Sequence, residues 1–301
     1  MKKDDSIKQH YIPISFQKRW YMKSANNIFH YSATKNKISC KQTGIKSTFQ
    51  IEYLYKYCDY ISYESYFHDV ETKSEPIFSK ILNDDIIDGD EYLYILRFIS
   101  LGKSRNPYFI ESGVLGYSLE DIIDFYKRFY SVSNQVDYKK ASFLFTLNIG
   151  EDVLLDKIEK WKMPACFVVR MDNDMLLCTD NVFSSFLSDF GFSIIPLSPS
   201  VALLFIDNIY GAADILKKIH RLNEMNFALL TNLLNMRASN SAIFNKREEN
   251  HNDLILNHSR WMESKCKSDF SCNILFGILN NGKSFGNINI KSISISDRPC
   301  H

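Results

Sequence analysis

Apolar and polar positions follow two rhythms along this chain. Between residues 164 and 207 the rhythm is that of strands. Residues 165–170 (ACFVVR) and 192–195 (FSII) are rich in β-branched and aromatic side chains, and 201–206 (VALLFI) is an apolar run too short for a typical buried helix. The turn-forming string Met171-Asp172-Asn173-Asp174 separates Val168-Val169 from Leu176-Leu177, so 165–178 is expected to fold back as a hairpin. Strands this apolar are usually covered on both faces, which makes them the central sheet.

Elsewhere the rhythm is mostly helical. Phe67, Val70, Ser74, Ile77 and Ile81 recur on one side of a helix expected over 66–82, where Pro76 marks a kink or a restart capped by Ser74. Residues 90–101 (DEYLYILRFISL) are apolar nearly all round and predict a buried helix. Further helices are expected over 118–130 and 150–161, and one long helix or two joined ones over 211–237. Pro13 is placed to open a helix through Phe16 and Trp20, which share a face, with Lys18 and Arg19 pointing elsewhere. Two more hairpins are expected: 28–33 with 37–41, and 272–279 with 285–296 through Asn280-Asn281-Gly282. The fold class is therefore α+β, a central mainly antiparallel sheet packed against several helices. A main domain spans 1–247, and a C-terminal extension of helix and β-hairpin spans 248–301.

Composition narrows the functional classes. The chain has 301 residues, 45% of them apolar, and a formal net charge of +1, so it can bury a sizeable core. With no global basic excess, contact with nucleic acid has to come from a local patch. Seven cysteines are dispersed without a CxxC pair, and the charged start MKKDDSIKQHY lacks an apolar signal core. Reduced thiols and a cytoplasmic location are expected. No run reaches the ~18 apolar residues of a membrane span. No P-loop, dinucleotide-binding fingerprint, Gly-x-Ser-x-Gly elbow or zinc CxxC pair is present.

The candidate chemistry sits where polar residues interrupt apolar elements. Thr179-Asp180-Asn181 stands at a strand end, where Asp180 and Asn181 either bond nearby backbone or offer a carboxylate and an amide on a rigid scaffold. His10 falls just ahead of the first helix, as a cap or a general acid/base. Glu71 lies with His68 and Glu75 at i, i+3 and i+7, a spacing that suits metal ligands and, more plainly, a solvated charged face. Arg105 closely follows the buried helix, where a cation offsets the helix dipole or binds phosphate. Asn223 and Asn226 fall in the apolar stripe of 211–237. They need partners there, either sheet backbone or the Asp180-Asn181 loop. The candidate set is thus His10, Glu71, Asp180 and Asn181 for catalysis, and Arg105, Asn223 and Asn226 for substrate. A divalent metal through Glu71 and Asp180 is the less favoured arrangement, and no metal ligands are assigned.

These landmarks, in this order, resemble a mostly bacterial family catalogued as domain of unknown function 4238. The resemblance runs over about 8–245. It is carried by His10-Tyr11-Ile12-Pro13 with Phe16 and Trp20, Leu54-Tyr55, Glu71, Arg105 with Pro107, Thr179-Asp180-Asn181, Pro196-Leu197-Ser198-Pro199 and Asn223. Two positions depart from the pattern: Val182 stands where a proline is usual, and Gln9 where many members have a second histidine. The resemblance implies an accessory bacterial protein associated with defence functions. Two functions are expected from the residues. One is a nuclease acting on RNA or DNA, with His10 as acid/base, a carboxylate pair and Arg105 on phosphate. The other is a non-catalytic module recognising a phage or host component, its polar residues forming a structural network.

Overall fold

The structure, a computed structural model, describes residues 8–21, 28–32, 47–52, 63–106, 124, 127, 164–183, 186, 191–206, 212–236, 239–245, 288–293, 295 and 296. Strand β1 (Lys8–His10) leads through Tyr11 into helix α1 (Ile14–Gln17) and a 3-10 turn, Lys18–Trp20. Then come β2 (Phe29–Ser32), β3 (Gln50–Glu52), α2 (Tyr63–Leu82), β4 (Ile87–Asp88) and α3 (Gly89–Ser104). The second half holds β5 (Ala165–Arg170), β6 (Cys178–Thr179), β7 (Phe192–Ser198), β8 (Val201–Ile206), α4 (Ala212–His220) and α5 (Glu224–Met236). It closes with β9 (Ser241–Phe244), β10 (Asn289–Ser292) and β11 (Ile295–Ser296).

The class is α+β as expected. The main sheet is antiparallel in the order β10-β5-β8-β7, and a second antiparallel sheet runs β2-β9-β6. Alternation along β8 shows how the main sheet is buried on both faces. Val201, Leu203 and Phe205 join a core with α1, α2 and α3, while Ala202, Leu204 and Ile206 join another with α4 and α5.

The hairpin expected over 165–178 does not form. Strand β5 has β8 on one edge and β10 on the other, and β6 pairs with β9 in the second sheet. The segment between β5 and β6 instead crosses the β7–β8 turn, where Met171 N donates to Ser200 O at 2.9 Å and Leu176 N to Pro199 O at 2.8 Å. Both edges of β5 are taken by other strands, the wholly buried β8 on one side and the more polar β10 on the other. Likewise β2 pairs with β9, from residues over 200 positions away in sequence. Its expected partner, 37–41, lies outside the described residues, as do 150–161 and nearly all of 118–130.

The long helical pattern over 211–237 resolves into α4 and α5. Helix α2 runs unbroken through Pro76, and Ser74 does not cap a restart; its hydroxyl is buried. Helix α3 begins with a capping box in which Asp88 accepts from Glu91 N and Glu91 accepts from Asp88 N. Tyr92 ties α3 to the main sheet by donating to Pro164 O at 2.7 Å.

The first helix is shorter than expected, and Arg19 does not point away from the core. Phe16 and Trp20 share a buried face, their rings 5.6 Å apart. Arg19 lies over the rings of Phe16 and Phe78, 5.1 and 4.7 Å from their centroids, with its side chain 10% exposed. Glu75 on α2 neutralises it.

At the C-terminus, β10 is the edge strand of the main sheet. Lys291 and Arg170 both reach Asp84, at 3.0 and 2.8 Å. Strand β11 runs parallel to β4. The boundary expected at 247/248 and the hairpin partner 272–279 lie outside the described residues.

Helix α3 approaches the turn after β6 closely at Gly102. A Cβ added there would run into the Phe183 ring, whereas at Gly89 nothing lies within 4 Å. Gly102→Ala is expected to cost about 1–3 kcal/mol in urea unfolding, by overpacking. Gly89→Ala is expected to be neutral or to stabilise by up to ~1 kcal/mol.

Candidate functional site

The candidate residues fall into three places. His10, Glu71 and Arg105 line one open cleft of about 740 Å³, together with Lys8, His68 and Glu75. His10 comes from β1, directly opposite Gln50 on β3, with Lys8 two residues earlier on the same strand face. Glu71 and Glu75 come from one face of α2, a helical turn apart. Arg105 comes from the C-cap of α3.

Two arginine–glutamate pairs build the cleft wall. Arg105 Nη1 donates to Glu71 Oε1 at 2.6 Å, and its guanidinium stacks 5.1 Å from the Phe67 centroid. The Arg105 side chain is 3% exposed and that of Glu71 25%. Arg19 Nη2 donates to Glu75 Oε2 at 2.8 Å, and Glu75 is 40% exposed. Burial pulls the Arg19 pKa below its ordinary value, and Glu75 pushes it back up. The His68-Glu71-Glu75 face is therefore not a simply solvated one: both glutamates are pinned by buried arginines that lean on aromatic rings. His68 is exposed. Among the described residues, no three His, Cys, Asp or Glu side chains gather to hold a metal ion.

Asp180 and Asn181 are elsewhere, inside the protein. Asp180 is 1% exposed and Asn181 6%. The Asp180 carboxylate accepts from Asn240 N at 3.1 and 3.2 Å and from Ser241 Oγ at 3.0 Å, while Asp180 N donates to Ser241 O. Asn106 Nδ2 donates to Asp180 O at 2.6 Å and to Asn181 Oδ1 at 2.9 Å. Val182, where a proline is usual in the resembled family, is fully buried. Burial raises the Asp180 pKa from 3.8 to about 6, against hydrogen bonds from Ser241, Asn240 and Ser239 that lower it. Neighbours in sequence thus serve opposite sides of the α3 end: Arg105 the cleft, Asn106 the buried turn.

Asn223 and Asn226 meet at the start of α5. Asn223 Oδ1 accepts from Asn226 N at 2.8 Å, an N-cap bond. The amides that do hold the sheet are Asn232 and Asn235. Asn232 accepts from Leu177 N and donates to Met175 O, both at 2.9 Å. Asn235 Nδ2 donates to Ile194 O at 3.1 Å, and the Asn235 backbone carbonyl accepts from Thr179 Oγ1 and Ser239 Oγ. Sequence reasoning missed this pair, although two asparagines three apart beside an apolar stripe are a usable signal. It also missed Arg19 and Asn106, for which no local pattern speaks.

An α+β protein with a cleft walled by paired arginines and glutamates is what fold and site define. The chain belongs to the family described as "Protein of unknown function (DUF4238)", which matches residues 8–249. No curated protein and no solved structure matches it.

Asp180 makes stability depend on pH with a definite sign. Its pKa is higher folded than unfolded, so its contribution is fully present below about pH 4 and is lost as pH rises through about 6. The loss is on the order of 3 kcal/mol. Urea unfolding from pH 4 to 7 is expected to show this fall in wild type relative to Asp180→Asn. Asp180→Ala, which strands the Asn240 and Ser241 donors, is expected to cost about 1–3 kcal/mol at either end.

Proposed function

We propose that this protein is a nuclease-type effector that cleaves phosphodiester bonds of RNA or DNA in the bacterial cytoplasm, in the setting of defence against phage. One observation carries the proposal. His10, Glu71 and Arg105, from three separate segments, line one open cleft. Together they offer an imidazole for proton transfer, a carboxylate, and behind that carboxylate the charge of a buried guanidinium. Lys8 adds a second cation on the side of His10. The chain carries almost no net charge, so contact with nucleic acid would rest on local groups such as Lys8 at the cleft. No helix among the described residues is long and apolar enough to cross a membrane.

A second function, non-catalytic recognition of a phage or host component, draws support from Asp180 and Asn181. Their hydrogen bonds go to Asn106, Asn240 and Ser241, which is how a structural network is made. The nuclease is preferred because its acid/base and phosphate groups stand in the cleft without Asp180.

The test is induced expression of wild type, His10→Ala and Glu71→Gln in a bacterial host, with total RNA and DNA run on gels. Wild type is expected to arrest growth and leave cleaved nucleic acid. His10→Ala is expected to lose about 10²–10⁴-fold in cleavage at unchanged Tm. Glu71→Gln keeps a hydrogen-bond acceptor for Arg105 but leaves its buried charge uncompensated, so its activity is read beside its Tm, and His10→Ala carries the test of catalysis. Intact nucleic acid with all three proteins, at equal soluble levels and under phage challenge, would leave the recognition module as the function.

A further inference from the structure

We infer that the substrate of the cleft is RNA and that the attacking nucleophile is the substrate's own 2′-hydroxyl. The inference rests on the nuclease function proposed above and deepens it. Cleavage by a neighbouring hydroxyl asks the protein for three things: a base for the hydroxyl proton, an acid for the leaving oxygen, and a cation for the phosphorane charge. The cleft holds one candidate for each, on three different elements.

Glu71 is placed as the base. Arg105 engages its Oε1, which fixes the carboxylate plane and leaves Oε2 as the oxygen to take a proton. The side chain is one-quarter exposed, so a ribose can reach it from the cleft. His10 stands on β1, a different element from α2, and an acid and a base on separate walls can sit on opposite sides of a phosphorus. Arg105 is held rigidly, over Phe67 on one side and against Glu71 on the other. Its charge is offset by Glu71 until that carboxylate takes the proton, and from behind Glu71 it then favours the negative charge building on the phosphorane. Lys8, near His10, suits the next phosphate of a strand.

The step balances without any further reactant. Glu71 takes the 2′-hydroxyl proton as the O2′–P bond forms. The P–O5′ bond breaks, and the imidazolium of His10 gives its proton to O5′. The products are a 2′,3′-cyclic phosphate end and a 5′-hydroxyl end. Glu71 then carries one proton more and His10 one fewer, and exchange with solvent restores both. DNA lacks the 2′-hydroxyl, so it would need a separate water molecule brought to the phosphorus. In RNA the nucleophile arrives already tethered beside the phosphorus, and proximity of that kind is a large part of a rate enhancement.

The experiment uses the purified full chain and three labelled oligonucleotides of one sequence: RNA, DNA, and RNA with single 2′-deoxy substitutions. Each is incubated with chelator and, separately, with magnesium. The expected result is cleavage of RNA alone, with or without chelator, giving 2′,3′-cyclic phosphate ends and blocked by a 2′-deoxy at the scissile nucleotide. A bell-shaped pH profile of kcat/KM is expected, with Glu71→Gln flattening its acid limb and His10→Ala its alkaline limb. Cleavage of DNA as well as RNA, or 5′-phosphate ends, would overturn the inference and leave the nuclease function standing. No cleavage of either nucleic acid by folded wild type would overturn both.

Discussion

The last turn of α3 rests directly on the buried turn that follows β6, and much else hangs on that contact. Gly102 is small enough for the Phe183 ring to lie against the helix backbone. Lys103 Nζ donates to Phe186 O at 2.7 Å, and Asn106 Nδ2 reaches Asp180 O and Asn181 Oδ1. The same turn is bonded through Asp180 to Asn240 and Ser241, at the start of β9. One helix end therefore couples the α2–α3 layer to the second sheet. Because Arg105 lies between Lys103 and Asn106 in sequence, its direction into the cleft is set by this docking.

Among the described residues, Arg19, Arg105 and Asp180 lie in or against the core, and the arginines are satisfied differently from the aspartate. Arg19 and Arg105 lie over aromatic rings and meet glutamates that are themselves part-exposed. Asp180 accepts only from backbone and hydroxyl donors, and burial raises its pKa to about 6 against those hydrogen bonds. Buried ion pairs give modest net stability, because desolvation offsets much of the attraction. What they do fix is position: removing one member strands the other, so alternative packings of α1 and α3 against α2 are disfavoured.

On the far side of the main sheet, α5 is held by amides as well as by apolar contact. Asn232 and Asn235 bond to Leu177, Met175 and Ile194, so the helix is tied both to β7 and to the crossing segment before β6. Asn232 supplies partners to Leu177 N and Met175 O, which lie outside any strand, so the chain crosses from β5 to the second sheet with those groups satisfied.

Legibility in the sequence follows the range of the forces involved. Strands β5, β7 and β8 were legible because apolar runs record burial on both faces. Helices α2 and α3 were legible because periodic apolar positions record which side faces a core. The end of β6 at Thr179 was legible from the Asp-Asn pair that follows it, although their side chains bond Asn240, Ser241 and Asn106 rather than nearby backbone. Which strands pair was not: β5 has a good turn after it, yet its edges go to β8 and β10, since pairing is decided by competition among all available edges. The burial of Arg19 was not legible either, because its neutralising partner Glu75 lies 56 residues along the chain. The same holds for the cleft. His10, Glu71 and Arg105 could each be singled out by type and position. Their meeting, and the separation of Asp180 from them, depend on how α3 docks between two layers. By itself the sequence determined the elements, the α+β class and the family. Only the tertiary structure decided strand partners, buried charges and the membership of the cleft, because those rest on contacts between residues that local periodicity cannot connect.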